Sequence, residues 1–191
     1  FLKYGGKLLV NHKVKKIRSL ININKWELDV FRKDGNYLSF IASDLICTLT
    51  PQSLLHIIDE ACLQKGYGER LQDLPKPTGA IVFYGAIERK YLPKNIAHHI
   101  QLDGRDLDSI FISISKDGDG RAPIGEATII ASIFTNIVDW KSLTKPDYLH
   151  RKKTIFNRII MALNNYFSIP SSAWLHQELS TPRSFQRWTG R

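Results

Sequence analysis

The sequence predicts an α+β protein: a mainly antiparallel sheet with two principal helices. Three observations predict it. Runs with period-two hydrophobicity recur along the chain, Asp34-Gly35 sits between two of them as a hairpin turn, and one long stretch repeats its apolar residues every four positions.

The first strand region, "GGKLLVNHKVKKIRSLIN", follows a glycine doublet and places Val14, Ile17, Leu20 and Ile23 among charges. "KWELDVFR" (25–32), the turn "KDGN" and "YLSFIAS" (37–43) complete a hairpin pattern. "DLICTLT" (44–50) is continuously apolar and predicts a strand buried on both faces. A helix is expected next. Thr50 fits its N-cap, Pro51 its first position, and Gly66 its end, with Leu54, Leu55, Ile58 and Cys62 on one face. "GYGERLQDLPKP" reads as a loop. Strands are expected at 78–87, 97–102, 109–115 and 127–134. The second principal helix starts at Thr144, which with Asp147 resembles a capping box, and carries Ile155, Ile159, Leu163 and Phe167 to a stop at Pro170.

The 191 residues suffice for one sizeable core, or for a core plus a small appendage. The only methionine is Met161, so the chain is expected to be a piece of a longer protein. Cys47 and Cys62, placed on the expected strand and helix, form no metal-ligand spacing and are expected to be buried reduced thiols. A net charge of +9 calls for an anionic partner. Neither a helix-turn-helix nor an RNP-like aromatic pattern accompanies it, so no nucleic acid is expected. An anionic membrane surface suits the charge better.

"SKDGDGRAPIGE" (115–126) nearly fits an EF-hand calcium loop, with Asp117, Asp119, Gly120 and Glu126 in register. Its flanks alternate with period two, its first position is serine and Pro123 occupies the ninth. The expectation is a glycine-rich hairpin connection without calcium. His98 and His99 are adjacent in an expected strand and so point to opposite faces. His56 reads as a satisfied core residue of the first helix, and no metal site is expected.

A family resemblance accounts for the arginine that follows. "SISKDGDGRAPIGEATIIASIF" resembles a segment of the phytoene-desaturase type of carotenoid desaturases and isomerases, loosely Ser-x-Ser-x-x-Asp-x-x-Arg-Ala-Pro-x-Gly. "GGKLLVNHKVKKI", "TGAIVFYGAIERKYLP", "HHIQL" and "STPRSFQRWTGR" resemble further segments of that family in the same order. The resemblance covers nearly the whole chain. Two family parts are missing: no Gly-x-Gly-x-x-Gly is present, and no C-terminal flavin motif follows Arg191.

The resemblance implies the substrate domain of an FAD-dependent oxidoreductase, with FAD held mainly outside this chain. It implies a carotenoid-like apolar substrate and a cytoplasmic location at the membrane periphery. Residues 1–50 would join the FAD domain, 51–180 would bind substrate, and 181–191 would return toward the FAD domain. Val14 is the implied flavin contact, although an ordinary strand valine explains it equally. Thr50 and Pro51 match a position near the cofactor and also a plain helix cap. The apolar strands at 80–87 and 111–115 suit a polyene tunnel or a core. Arg121, Arg183 and Arg191 suit flavin phosphates or loop anchoring. A non-catalytic module that binds an apolar ligand or a membrane is the alternative. If residues 1–50 and 181–191 pack on an FAD domain outside this chain, Leu8, Val10, Val14, Phe185 and Trp188 lack cover, and self-association through an edge near residues 7–17 is expected.

Overall fold

The computed structural model describes residues 2–75, 78–103 and 109–189. The class is α+β, and the chain divides into two compact units, residues 1–75 and 76–191.

The first unit is built on an antiparallel meander of β1 (His12–Leu20), β2 (Lys25–Arg32) and β3 (Tyr37–Ala42). The register of β1 on β2 shifts between Val14 and Lys16, leaving Lys15 as an extra, bulged residue. This bulge resolves a three-residue spacing that plain alternation cannot use. Val14 opposes Val30 and Ile17 opposes Leu28, so both apolar residues reach one face. That face continues through Leu38 and Phe40 on β3, and Ile17 and Val30 are buried in it. The opposite face carries Arg18, which binds Glu27 at 3.1 Å and also Asp29. The hydrogen bond from Arg18 holds the Asp29 carboxyl below its ordinary pKa.

Two expectations fail beyond the meander. Residues 44–50 form no strand, and Ile46 is 90% exposed. A strand buried on both faces requires packing layers over both, and the described residues offer this segment none. The helix expected over 51–66 stops early, as α1 (Pro51–Leu55). The backbone then turns so that Ile17 N–H donates to Ile57 O at 2.7 Å, while Asp59 N–H donates to Ile17 O at 3.0 Å. Pairing with the outer edge of β1 outcompetes two further helical turns. Gly66 does not end a helix; at φ +71° it precedes α2 (Tyr67–Gln72), where a loop was expected. His56 follows α1 and is exposed, and Cys47 is exposed as well, so neither is the core residue that periodicity suggested.

In the second unit five antiparallel strands form a sheet in the order β5-β6-β7-β4-β8. These are β4 (Thr78–Glu88), β5 (His99–Leu102), β6 (Ile110–Ile114), β7 (Glu126–Asn136) and β8 (Trp174–Ser180). Strands β4 and β7 pair without interruption from Thr78–Asn136 to Glu88–Glu126. Two short helices, α3 (Val138–Lys141) and α5 (Pro182–Thr189), follow β7 and β8 in sequence. The long helix α4 (Lys145–Phe167) starts as its sequence dictates: Thr144 accepts from Asp147 N–H, and Pro146 lies in the first turn. It ends on Ser168 in the left-handed conformation.

Alternation along β4 and β7 turns Ile81, Phe83, Ile87, Ile129, Ala131 and Ile133 to one face. There they join Ile159, Leu163 and Phe167 of α4 in a single core. Among the described residues no helix is long and apolar enough to cross a membrane.

Candidate functional site

The sheet of the second unit has a second face, built by the alternate residues of the same strands. Register places His99, Ser113, Ile130, Tyr84 and Glu178 in one row across it. Gln101, Phe111, Ser132, Val82 and Ser180 form the next. The middle strands carry Val82, Tyr84, Ile130 and Phe111 interspersed with Ser113 and Ser132, whereas the outer strands carry only polar groups. Phe111 is 49% exposed, and Phe134, one register step beyond, is 74% exposed. The His99 ring stacks on Phe111 at 5.8 Å and 15°. An apolar band thus crosses the sheet between polar margins, which suits an extended apolar ligand. The choice between tunnel and core resolves residue by residue: Ile81, Phe83, Ile87, Ile112 and Ile114 belong to the core. Val82, Tyr84 and Phe111 belong to the open face.

The loop 115–126 is bounded by strands β6 and β7, and its Asp117 and Asp119 carboxylates are already engaged. Asp119 accepts from Lys116 N–H at 2.7 Å, Arg121 N–H at 2.9 Å and Arg121 Nε at 2.8 Å. Arg89 reaches in from the end of β4, donating to Ser115 O at 3.0 Å and Glu126 O at 3.1 Å. Ser115 is fully buried and its hydroxyl accepts from Thr128 N–H at 3.0 Å. These contacts tie off the loop as a turn. Among the described residues no three His, Cys, Asp or Glu side chains converge on a metal-sized site.

The hydrogen bonds from Arg121, side chain first and then backbone, push the Asp119 carboxyl down to about 2. A carboxyl depressed on folding stabilises the fold above its unfolded pKa, and that contribution is lost as pH falls through its folded value. The stability difference between the unaltered protein and Asp119→Asn is therefore expected to shrink between about pH 4 and pH 2. Denaturant titrations at each pH measure it, and a difference constant across that range refutes the assignment.

The other arginines divide as follows. Arg121 pairs with Asp119 at 2.7 Å, and Arg183 donates to Lys141 O at 3.0 Å and Leu143 O at 2.5 Å. The Arg183 guanidinium also lies 5.0 Å from the centre of the Tyr148 ring, whose hydroxyl meets the buried Thr181 at 3.1 Å. Both arginines anchor loops. Arg191 lies outside the described residues.

Val14, Thr50 and Pro51 all fall in the first unit. Thr50 caps α1, accepting from Ser53 N–H at 3.3 Å, and Pro51 is its first residue. Both have the plain structural use. Val14 packs in a row with Val30 and Leu38. Its backbone is different. Lys33 N–H donates to Asn11 O at 3.0 Å, and alternation from that bond turns the Val14 N–H and C=O to the edge away from β2. Ile17, in phase again after the bulge, uses the same edge for residues 57–59.

Val14 therefore presents a donor and an acceptor side by side, which fits the edge of a flat heterocycle such as adenine. Among the described residues neither α1, five residues long, nor α4, whose first turn is closed by its own Thr144–Asp147 pair at 2.5 Å, offers a cradle for the phosphates of FAD. The outward backbone of Val14 suits only the adenine end of that cofactor. Alternation also separates the adjacent histidines. His99 lies on the open face against Phe111, while the Nδ1 of His98 is buried with no hydrogen-bond partner among the described residues.

Sequence reasoning missed β8 and α5. β8 supplies His176 and Glu178, 3.9 Å apart, to the polar margin of the open face. Its apolar positions, Trp174, Leu175 and Leu179, keep no period of two, so the only available signal was Pro170 behind and Pro182 ahead. No family model matches the sequence, and no curated protein matches it.

Proposed function

We propose that this chain is the substrate-binding part of an FAD-dependent oxidoreductase that desaturates or isomerises a carotenoid-like polyene. Most of the flavin would be held by polypeptide outside it. The observation that carries the reading is the open sheet face, where Val82, Tyr84, Ile130, Phe111 and Phe134 form an apolar band. A polyene hydrocarbon offers no hydrogen-bonding groups, so it is held by area and shape alone. The ordered motif resemblance supports the family, and the outward backbone of Val14 suits the adenine end of FAD.

FAD supplies the two-electron acceptor when bound. The residues here align the polyene along the band and exclude water from it. The net charge of +9 favours docking on an anionic membrane, where so apolar a substrate dissolves.

The test is a titration of the chain with a long polyene in neutral detergent micelles, followed by quenching of tryptophan fluorescence. Binding is expected, and Phe111→Glu should weaken it at least about tenfold, since burying one such ring contributes about 1.5–3 kcal/mol. Equal quenching by both proteins overturns the reading. If the unaltered chain binds but the complete FAD-loaded protein leaves the double-bond pattern unchanged, the chain is a non-catalytic binder.

A further inference from the structure

Two sheets expose four edges among the described residues, and three of them are defended. β1 carries Lys13, Lys16 and Arg18 and is bridged at Ile17 by residues 57–59. β5 is only four residues long, and β8 carries His176 and Glu178. Short length and charge are the ordinary means by which an edge avoids adding a further strand.

The edge of β3 has neither. Its six residues, Tyr37-Leu-Ser-Phe-Ile-Ala42, include no charged residue and no proline. Tyr37 is 70% exposed and Ile41 59%. Its backbone phase follows from one bond: Arg32 N–H donates to Asn36 O at 2.8 Å. By alternation Leu38, Phe40 and Ala42 turn their backbone groups to β2, and Tyr37, Ser39 and Ile41 turn theirs outward.

We infer that β3 is a self-association edge, and that two copies of this chain pair antiparallel through it to form one six-stranded sheet. The occupant follows from charge. An edge with polar or charged neighbours would bury them against Tyr37 and Ile41, whereas a second β3 brings none. The phase requires outward-facing residues to oppose one another, and the register that pairs all three of Tyr37, Ser39 and Ile41 among themselves is centred on Ser39. Ser39 then meets Ser39 of the other copy, Tyr37 meets Ile41, and Leu38 meets Phe40. This is a two-fold, self-complementary contact. It puts self-association at β3 rather than near residues 7–17, where uncovered FAD-domain contacts suggested it and where β1 is basic and bridged at Ile17. The inference does not depend on the proposed function.

Sedimentation velocity over a concentration series is expected to show a monomer–dimer equilibrium. Ser39→Lys, which sets like charges directly opposite, should raise the dissociation constant at least about fivefold. Register is tested by oxidation in a Cys47→Ser/Cys62→Ser background. Opposed hydrogen-bonded residues lie about 5.5 Å apart at Cα, within reach of a disulfide. Ser39→Cys should therefore cross-link to a dimer, and Tyr37→Cys should not. Tyr37 and Ser39 are both exposed, and circular dichroism checks that each variant folds. A monomer at the highest soluble concentration overturns the proposal, as does an unchanged dimer in Ser39→Lys or equal cross-linking at positions 37 and 39.

Discussion

Phe83→Ala is expected to destabilise the second unit by about 3–5 kcal/mol, in the range of large aromatic truncations in packed cores. Phe83 is fully buried at the centre of β4, an interior strand paired with β7 and β8. Its ring meets Trp174 edge-on at 5.4 Å and Phe156 of α4 at 5.9 Å. Truncation removes the contact that joins strand, helix and the β8 edge in one step, and Trp174 is pinned by its Nε1 bond to Asn164 at 2.9 Å. The cavity therefore cannot collapse easily. The same truncation at Phe111, half exposed on the open face, should cost under about 1.5 kcal/mol. Chemical denaturation of the two variants checks this. A Phe83→Ala cost no larger than that of Phe111→Ala would mean that the core lies elsewhere.

The opposite error, adding volume beside the same rings, is the second large effect. A Cβ on Gly85 would stand 2.7 Å from Phe83 Cε1 and closer still to Trp174 Cζ3. Neither ring can swing away, since each is wedged by the other. Gly85→Ala is expected to cost about 1–3 kcal/mol despite improved strand propensity. Combining it with Trp174→Leu should recover part of that cost, a non-additivity expected of side chains competing for one space. Strict additivity in the double mutant would show that the penalty has another source.

Most of the architecture was legible wherever a local signal and its tertiary use coincide. The Thr144–Pro146–Asp147 start and the four-residue stripe of α4 are local, and both hold. The turn at Asp34-Gly35 is likewise local: Gly35 takes φ +94°, and Asn36 N–H donates to the Asp34 carboxylate. Segment 44–50 shows the limit. Its apolar residues specify burial but not by what, and among the described residues no strand provides it. Beyond Leu55, the helical pattern of Ile58 and Cys62 yields to backbone pairing with Ile17, which depends on a strand 40 residues earlier in the chain. No window around Ile58 contains that partner.

The candidate site was legible only in part for the same reason. Alternation identifies two faces on each strand, but which face receives α4 is settled by packing. Val14 was singled out by resemblance, yet its outward backbone depends on the phase of pairing with β2, which side-chain chemistry does not reveal. The bulge at Lys15 was foreshadowed by the three-residue step from Val14 to Ile17, a spacing that an unbulged strand would send to opposite faces.

The strand order of the second unit has a consequence for how the molecule reaches its native state. β4 is an interior strand of the sheet, yet its neighbours come from residues 126–136 and 174–180, with Val82 paired to Ser180. Neither neighbour is adjacent in sequence, and α4 has to form and fold back before β8 can reach its place. The meander of the first unit, by contrast, pairs only consecutive strands across short turns. Closing long loops costs chain entropy before any contact compensates it, so high contact order slows folding. The meander therefore belongs to the fast phase of folding, and seating β8 beside β4 belongs to the slow one. Until that last strand docks, the edge of β4 and the Phe83 ring remain open to water and to other chains, which makes this interval the aggregation-prone stage of folding.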